Sequence, residues 1–238
     1  MLIVENLTKK YGNFTALKGI SYNVKEGEVL GILGPNGAGK STMIKILTCF
    51  HKATSGKVTI NGIDINKVDK IKPLIGWVPQ EDTFYSNLTV YENLQFFGSL
   101  FGLANKEIKD RSEDLLKLLE IEHKKNALSK SLSGGMKRRL SIAIALIHNP
   151  KIVYLDEPTA GVDPVSRMAL WDVIKIIKKR GYTILFCTHY LDEADLLCDR
   201  IAILRSGEII LIDTPKNIKK KYGASLEVAF VNLIKSKK

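Results

Sequence analysis

Nine consecutive residues, Gly34-Pro35-Asn36-Gly37-Ala38-Gly39-Lys40-Ser41-Thr42, meet every fixed position of the phosphate-loop pattern G-x-x-x-x-G-K-[ST]. Glycine lets the backbone turn through positive φ and approach a ligand with no Cβ in the way. Successive N–H groups can then converge on one concavity at the positive end of a following helix, where a polyphosphate is stabilised. In that pattern Lys40 adds a point charge for the β- and γ-phosphates, and the Ser41 hydroxyl ligates Mg²⁺. A second group able to do chemistry ends the apolar run Ile152-Val153-Tyr154-Leu155: the adjacent carboxylates Asp156 and Glu157. Such a pair can divide labour. Asp156 can hold Mg²⁺, directly or through water, and Glu157 can polarise a water in line with the γ-phosphorus.

Other candidates admit two readings each. Gln80 follows the apolar stretch Ile75-Gly76-Trp77-Val78-Pro79. In open parallel sheets the ligand crevice lies beyond the carboxyl ends of strands, so Gln80 can reach the metal or the γ-phosphate, or be an ordinary loop glutamine. His189 stands just past the run Tyr182–Cys187, after Thr188. A lone histidine is more often structural, but its place at the same sheet edge favours a chemical role. Ser133-Gly134-Gly135 opens a helical pattern over 137–147 and is a second potential anion site. The alternative is a plain serine N-cap, which would not require two glycines. Tyr11, beside Gly12, can stack on an adenine ring or be a half-buried turn tyrosine.

These groups need strands and helices to hold them. Val29–Leu33 has the short, continuous apolar character of a buried parallel strand, and Met43–Leu47 has helical spacing. Leu2–Leu7 and Ala16–Val24 read as strands on either side of a turn-rich break, Lys9–Phe14. Lys57–Ile60 is a strand before the hairpin-type turn Asn61-Gly62. Between Leu88 and Lys125 strand signals disappear, and Val90–Leu103 and Asn105–Leu119 carry helical periodicity. Val165–Arg180 is helical, 199–204 and 208–212 form a hairpin, and two terminal helices cover 215–222 and 226–234. Lys235–Lys238 is expected to fray.

Bulk properties narrow the class. The chain has 238 residues, 45% apolar and 26% charged, enough for one α/β domain with a good core. No apolar run approaches the roughly 20 residues that span a bilayer, and the first residues lack a signal-peptide pattern. Cys49, Cys187 and Cys198 show no C-x-x-C spacing and sit in apolar contexts, so buried free thiols in a reducing, cytoplasmic compartment are expected. The net charge of +11 could serve nucleic acid or an anionic membrane face, yet the lysines are scattered. A solvated lysine-rich surface is the favoured reading, and nucleic acid is not an expected partner.

Phosphate loop, Gln80, Ser133-Gly134-Gly135, Asp156-Glu157, Asp163 and His189 occur in one order along the chain. Taken together they resemble the ATP-binding subunit of ABC (ATP-binding cassette) transporters, over about Leu2 to the 210s. The resemblance implies an α/β P-loop NTPase core with a mainly parallel sheet, an N-terminal antiparallel β subdomain and an inserted α-helical subdomain. In these terms the core and β parts are residues 1–82 and 150–212, the helical insertion 83–149 and a helical tail 213–238. It implies that ATP and Mg²⁺ are bound, the metal by Ser41, Gln80 and Asp156. Tyr11 is then the adenine-stacking aromatic and Gln80 the glutamine that touches Mg²⁺ and senses the coupled channel. Leu132–Met136 is the family signature, Glu157 the catalytic carboxylate, Asp163 an aspartate at the dimer interface and His189 the γ-phosphate switch. Two subunits face head to tail, and Ser133-Gly134-Gly135 of one closes on the ATP held by the other.

This sequence departs from the usual pattern in two places. The signature ends in Met136 rather than glutamine, and the interface loop reads Ala160-Gly161-Val162-Asp163-Pro164 rather than Ser-Ala-Leu-Asp. Both look like the exporter branch whose permease is a separate chain. The expectation is a peripheral ATPase on the cytoplasmic face of the cell membrane, dimerising with itself or a relative and driving export through an integral-membrane permease. Phe84 and Tyr85 are candidates for the permease rim. A soluble ABC ATPase acting on ribosomes or nucleic acid is the rival reading, opposed by the single cassette and short insertion. A non-hydrolysing regulatory module is opposed by Glu157 and His189.

Overall fold

The computed structural model of the protein describes residues 1–235. The first stretch contains β1 (Leu2–Tyr11), β2 (Phe14–Val24), β3 (Val29–Leu33), α1 (Lys40–Leu47), β4 (Ser55–Ile60), β5 (Ile63–Asp64) and α2 (Val68–Ile71). The middle holds β6 (Ile75–Val78), α3 (Val90–Leu100), α4 (Asn105–Leu118), α5 (Gly134–Leu146), β7 (Ile152–Asp156) and α6 (Pro164–Lys179). The last stretch adds β8 (Thr183–Thr188), α7 (Leu191–Leu197), β9 (Arg200–Arg205), β10 (Glu208–Asp213), α8 (Pro215–Tyr222) and α9 (Leu226–Lys235). Two compact units result: residues 1–72 with those from 183 onward, and Pro73–Tyr182.

In the first unit every residue of β3 is buried, as a strand covered on both faces must be. β3 pairs in parallel with β8 and β9, and β10 runs antiparallel to β9. A separate antiparallel sheet has the order β2-β1-β4-β5. Along β1 the alternation of the pleat is visible: Leu2 and Val4 are buried while Ile3 and Glu5 face outward. Lys9–Tyr11, expected to break the chain, is instead the end of β1, paired through Lys9↔Leu17 and Tyr11↔Phe14. Cross-strand pairing wins over the local turn signal, which shrinks to Asn13 and to Gly12 at φ +57°. Cys187 and Cys198 are buried and outside any disulfide, as expected, but Cys49 is only half-buried, at φ +61° just past α1.

The second unit pairs β6 and β7 in parallel and surrounds them with helices. Leu140 and all of Ser141–Leu146 are buried, so α5 is the central helix, packed on β6, α3, α4 and α6. Two of these contacts are close at a glycine. A Cβ on Gly76 would lie 2.3 Å from Ala145 O, and one on Gly135 would lie 3.0 Å from Ser166 Cβ. α3 opens with a reciprocal capping box between Thr89 and Glu92. Arg180, past the end of α6, grips both carboxylate oxygens of Asp114 on α4, at 2.5 and 3.1 Å.

Boundaries differ from expectation where local caps decide them. α5 starts at Gly134, three residues before the expected Lys137, because Ser133 caps it. α3 stops at Leu100, and Gly102 at φ +77° turns the chain. The short helices α2 and α7 have no counterpart among the expected elements. The expected fraying includes residues 236–238, which lie outside the described residues; Lys235 closes α9.

Candidate active site

The first unit carries the phosphate loop, between the end of β3 and the start of α1. A Cβ on Gly34 would meet Leu204 O at 2.3 Å, and one on Gly39, at φ +110°, would meet Ala16 O at 2.8 Å. Gly37 also has positive φ, +78°, but open space lies beside it. Two glycines therefore seat the loop and the third turns it on its open side. The seat includes the β9–β10 turn: Gly207 N–H donates to Ala38 O at 2.9 Å, and Gly207 O accepts from Lys18 N–H at 2.8 Å. Lys40 is 5% exposed, with its ammonium donating to Gly34 O at 2.7 Å and Pro35 O at 3.3 Å. The charge thus sits within the loop. Among the described residues no side chain caps α1 at Gly39, so the helix start faces the loop's concavity uncapped. Pro35, Asn36 and Ser41 are exposed, and Thr42 is half-buried. Backbone donors, a buried ammonium and an uncapped helix start fit a polyphosphate.

Two further candidates belong to this unit. Tyr11 is 42% exposed rather than half-buried in a turn, and its hydroxyl lies 2.9 Å from His51 Nδ1. Lys9 Nζ stands 4.9 Å from the Tyr11 ring centroid, and Phe50 stacks on His51 at 5.4 Å. The aromatic is therefore braced without being covered. His189 is exposed, one residue past β8, with the Tyr190 ring 4.2 Å away. Its loop is pinned from below. The Thr188 hydroxyl donates to the fully buried Glu193 carboxylate at 2.8 Å and accepts from Tyr190 N–H at 3.0 Å.

The second unit holds the remaining candidates. Gln80 is exposed, two residues past β6. Asp156 is the last residue of β7 and, like Glu157, is half-buried. Glu157 has φ +48°, a left-handed conformation that costs a non-glycine residue about 1–3 kcal/mol and persists where its surroundings over-determine it. Ser133 acts as an N-cap, accepting from Met136 N–H at 3.4 Å, so the plain capping role is present. The glycines add something a cap does not need: Gly134 is exposed with open space where a Cβ would be, and Gly135 permits the contact with Ser166. Asp163 caps α6, accepting from Val165 N–H at 3.1 Å and Ser166 N–H at 3.0 Å. Hydrogen bonds from the Ser166 side chain and then its N–H hold that carboxyl below its usual range.

For Mg²⁺ the candidates are Ser41 in the first unit and Gln80 and Asp156 in the second. Among the described residues no group of three or more His, Cys, Asp or Glu could hold a metal. A hydroxyl, an amide oxygen and a carboxylate are each oxygen ligands of the kind magnesium takes.

Sequence reasoning missed Arg138, His51, Glu193 and Gly207. Arg138 is 4% exposed and donates to four backbone carbonyls: Pro158 at 2.8 Å, Pro79 at 2.7 Å, Gln80 at 2.6 Å and Glu157 at 3.5 Å. A signal existed. Gly135, Arg138, Ile142 and Ala145 follow one another at helical spacing, which places Arg138 on the buried face of α5. His51 and Glu193 have no such pattern.

Comparison with known proteins matches this assembly of motifs. The ABC transporter family profile matches residues 17–160. The linearmycin resistance ATP-binding protein LnrL of Bacillus subtilis (strain 168) is 42% identical over 224 residues, 94% of this chain and 72% of that protein. The mammalian ATP-binding cassette sub-family A members that also match are far longer; the chain spans 12% of member 17 of Rattus norvegicus, at 43% identity. A solved ATP-binding subunit of an ABC transporter aligns with TM-score 0.88 and 30% identity, over 99% of this chain and 100% of that one. The dimeric cassette MJ0796, in a post-hydrolysis state with ADP and Pi, aligns with TM-score 0.79 and 33% identity, over 90% and 98%. With an α/β fold that holds a phosphate loop, a signature helix and the Asp-Glu strand end in the order they require, the chain belongs to the ABC transporter family as one of its ATPase nucleotide-binding units.

Proposed function

We propose that this chain is the ATP-hydrolysing subunit of an exporter, dimerising head to tail on ATP and driving a separate integral-membrane permease. The observation that carries the reading is the presence in one chain of two helix starts suited to an anion. One is the loop ahead of α1, with its buried Lys40. The other is the glycine pair that opens α5. A single nucleotide uses the first; the second is left for the nucleotide of a partner subunit. The similar cassette MJ0796 is itself dimeric with ADP and Pi bound, which supports this use of the second helix start.

Each side chain then has a role. Gly34–Gly39 and Lys40 bind the phosphates, and Tyr11 stacks on the adenine. Ser41, Gln80 and Asp156 would hold Mg²⁺, which when bound neutralises charge on the β- and γ-phosphate oxygens. Glu157 accepts a hydrogen bond from the attacking water and orients it, and its left-handed backbone fixes where the carboxylate points. His189 donates to the γ-phosphate and loses that contact on hydrolysis. Loss of charge contacts then loosens the dimer, a two-state element biased by ligand.

Among the described residues no helix is long and apolar enough to cross a membrane, so the membrane link is assigned to the permease. The surface proposed for it is aromatic. Tyr85 and Leu100 are 51% and 70% exposed, and Tyr85 meets Phe96 edge-on at 4.8 Å. The loop below is rigid, because the buried Asn93 amide accepts from Tyr85 N–H at 2.7 Å and donates to Tyr85 O at 3.0 Å.

Glu157→Gln protein, tagged and recovered with MgATP from detergent-solubilised cells, tests the reading. Recovery of a dimer with a stoichiometric integral-membrane protein is expected, and Phe96→Glu in the same background should release the membrane protein alone. Recovery of ribosomes or nucleic acid would replace the transporter reading. Loss of substrate from preloaded cells, abolished by Glu157→Gln, is the expected outcome for export; loss of uptake would reverse the direction.

A further inference from the structure

Arg138 lies on α5 five residues after Ser133, buried, and its planar guanidinium spreads over carbonyls from two separate segments. Pro79 and Gln80 come from the end of β6, and Glu157 and Pro158 from the end of β7. Two of the four carbonyls belong to Gln80 and Glu157 themselves. A lysine carries three donors on one nitrogen and could not reach this spread; the five-donor fork of arginine can. Burial pulls the guanidinium pKa down, and the charges of Asp82 and Asp156 push it back up. Arginine remains charged in proteins in any case. Its grip also falls on the left-handed turn at Glu157.

The other end of the same helix carries Gly134 and Gly135. α5 is buried along most of its length and packs on β6, so its first turn and Arg138 move as one rigid element.

We propose that Arg138 is a positioning residue that couples the two ATP sites of the dimer: phosphate engaged at the start of α5 sets, through its hydrogen bonds to the Gln80 and Glu157 carbonyls, the placement of the groups that hydrolyse the chain's own ATP. This rests on the head-to-tail reading above. It adds that the cooperativity between the two sites runs through this side chain.

The test uses purified full chain. Arg138→Met keeps length and burial but removes every donor; Arg138→Lys keeps charge and some donors. ATPase rate against ATP concentration should give a Hill coefficient near 2 for wild type and near 1 for Arg138→Met, with kcat down at least tenfold. Equilibrium ATP binding by the phosphate loop should stay within twofold, and Arg138→Lys should fall between. Wild-type kcat and Hill coefficient in a folded Arg138→Met protein would overturn the proposal, as would a parallel loss of kcat and ATP affinity, the mark of a merely structural role. If Arg138→Met does not fold, hydrogen exchange of Glu157→Gln protein decides. MgATP should protect the amides at 133–137, 80–82 and 157–159 together, and protection of 133–137 alone would overturn it. Glu157→Gln that stays monomeric in MgATP would instead remove the head-to-tail reading itself.

Discussion

Tyr11→Ala is expected to weaken ATP binding by about 1 kcal/mol, roughly fivefold, the scale of one aromatic stack. Titration with a fluorescent ATP analogue measures it, and an unchanged Kd would leave Tyr11 a structural residue, held by its His51 and Lys9 contacts. Lys40→Ala should cost at least about tenfold in the same titration, since a charge-assisted hydrogen bond is worth about 1.5–3 kcal/mol. Unchanged affinity would remove the phosphate-loop role. At this scale the sequence was legible where chemistry demands a residue type at a fixed spacing. The loop glycines, Lys40 and the Asp156-Glu157 pair were proposed that way. Arg138 was hidden between Lys137 and Arg139, where three basic residues look like a solvated face. Only helical phase separates the buried one from its neighbours. Glu193 was hidden for a different reason: a carboxylate in a short helix gives no hint that a threonine hydroxyl will hold it inside.

The helices and strands add pH dependence. Burial pushes the His148 imidazole down, its Nε2 donates to Ile75 O at 2.8 Å, and its buried Nδ1 has no hydrogen-bond partner among the described residues. The ring stacks on Phe101 at 3.7 Å, joining the ends of α3 and α5 to β6. Protonation would bury a second N–H with nothing to receive it. With the folded pKa depressed, the unfolded chain binds the extra proton first. The stabilisation is present above the unfolded value of about 6.5 and is lost as pH falls below it. Denaturant unfolding from pH 8 to 5 should show wild type losing stability more steeply than His148→Gln; parallel curves would refute this. Asp213 acts lower on the scale. Hydrogen bonds from Asn217, then Lys221 and Thr214 N–H, hold its pKa at about 2. Its contribution is present above about pH 4 and is lost as pH falls toward 2. Asp213→Asn should flatten that part of the acid-unfolding curve. Elements were legible where one face or both faces are apolar, as in β3 and α4. They were missed where tertiary pairing supplies the stability, as in the last turn of β1 and in α7.

For the whole molecule, chelating magnesium should stop turnover and ATP-driven dimerisation while the phosphate loop still binds ATP. Light scattering beside the nucleotide titration would show both, and a dimer that persists without the metal would contradict the roles given to Ser41 and Asp156. Family and fold class were readable because the motifs fall in one order along the chain. The first unit is assembled from both ends of the chain, residues 1–72 with those from 183 onward. That arrangement bears on biosynthesis. Among the described residues β3, which leads into the phosphate loop, pairs with β8 and β9 alone. A ribosome makes β3 early and its neighbours late, after the entire contiguous second unit. Until Thr183–Arg205 has emerged, the phosphate loop has no strands beside it and no Leu204 or Gly207 to rest on. Closing so long a loop is slow compared with local folding. A chain stalled before β8 therefore carries the full phosphate-binding motif without the strands that seat it, and ATP binding is expected to appear only once those strands have been made.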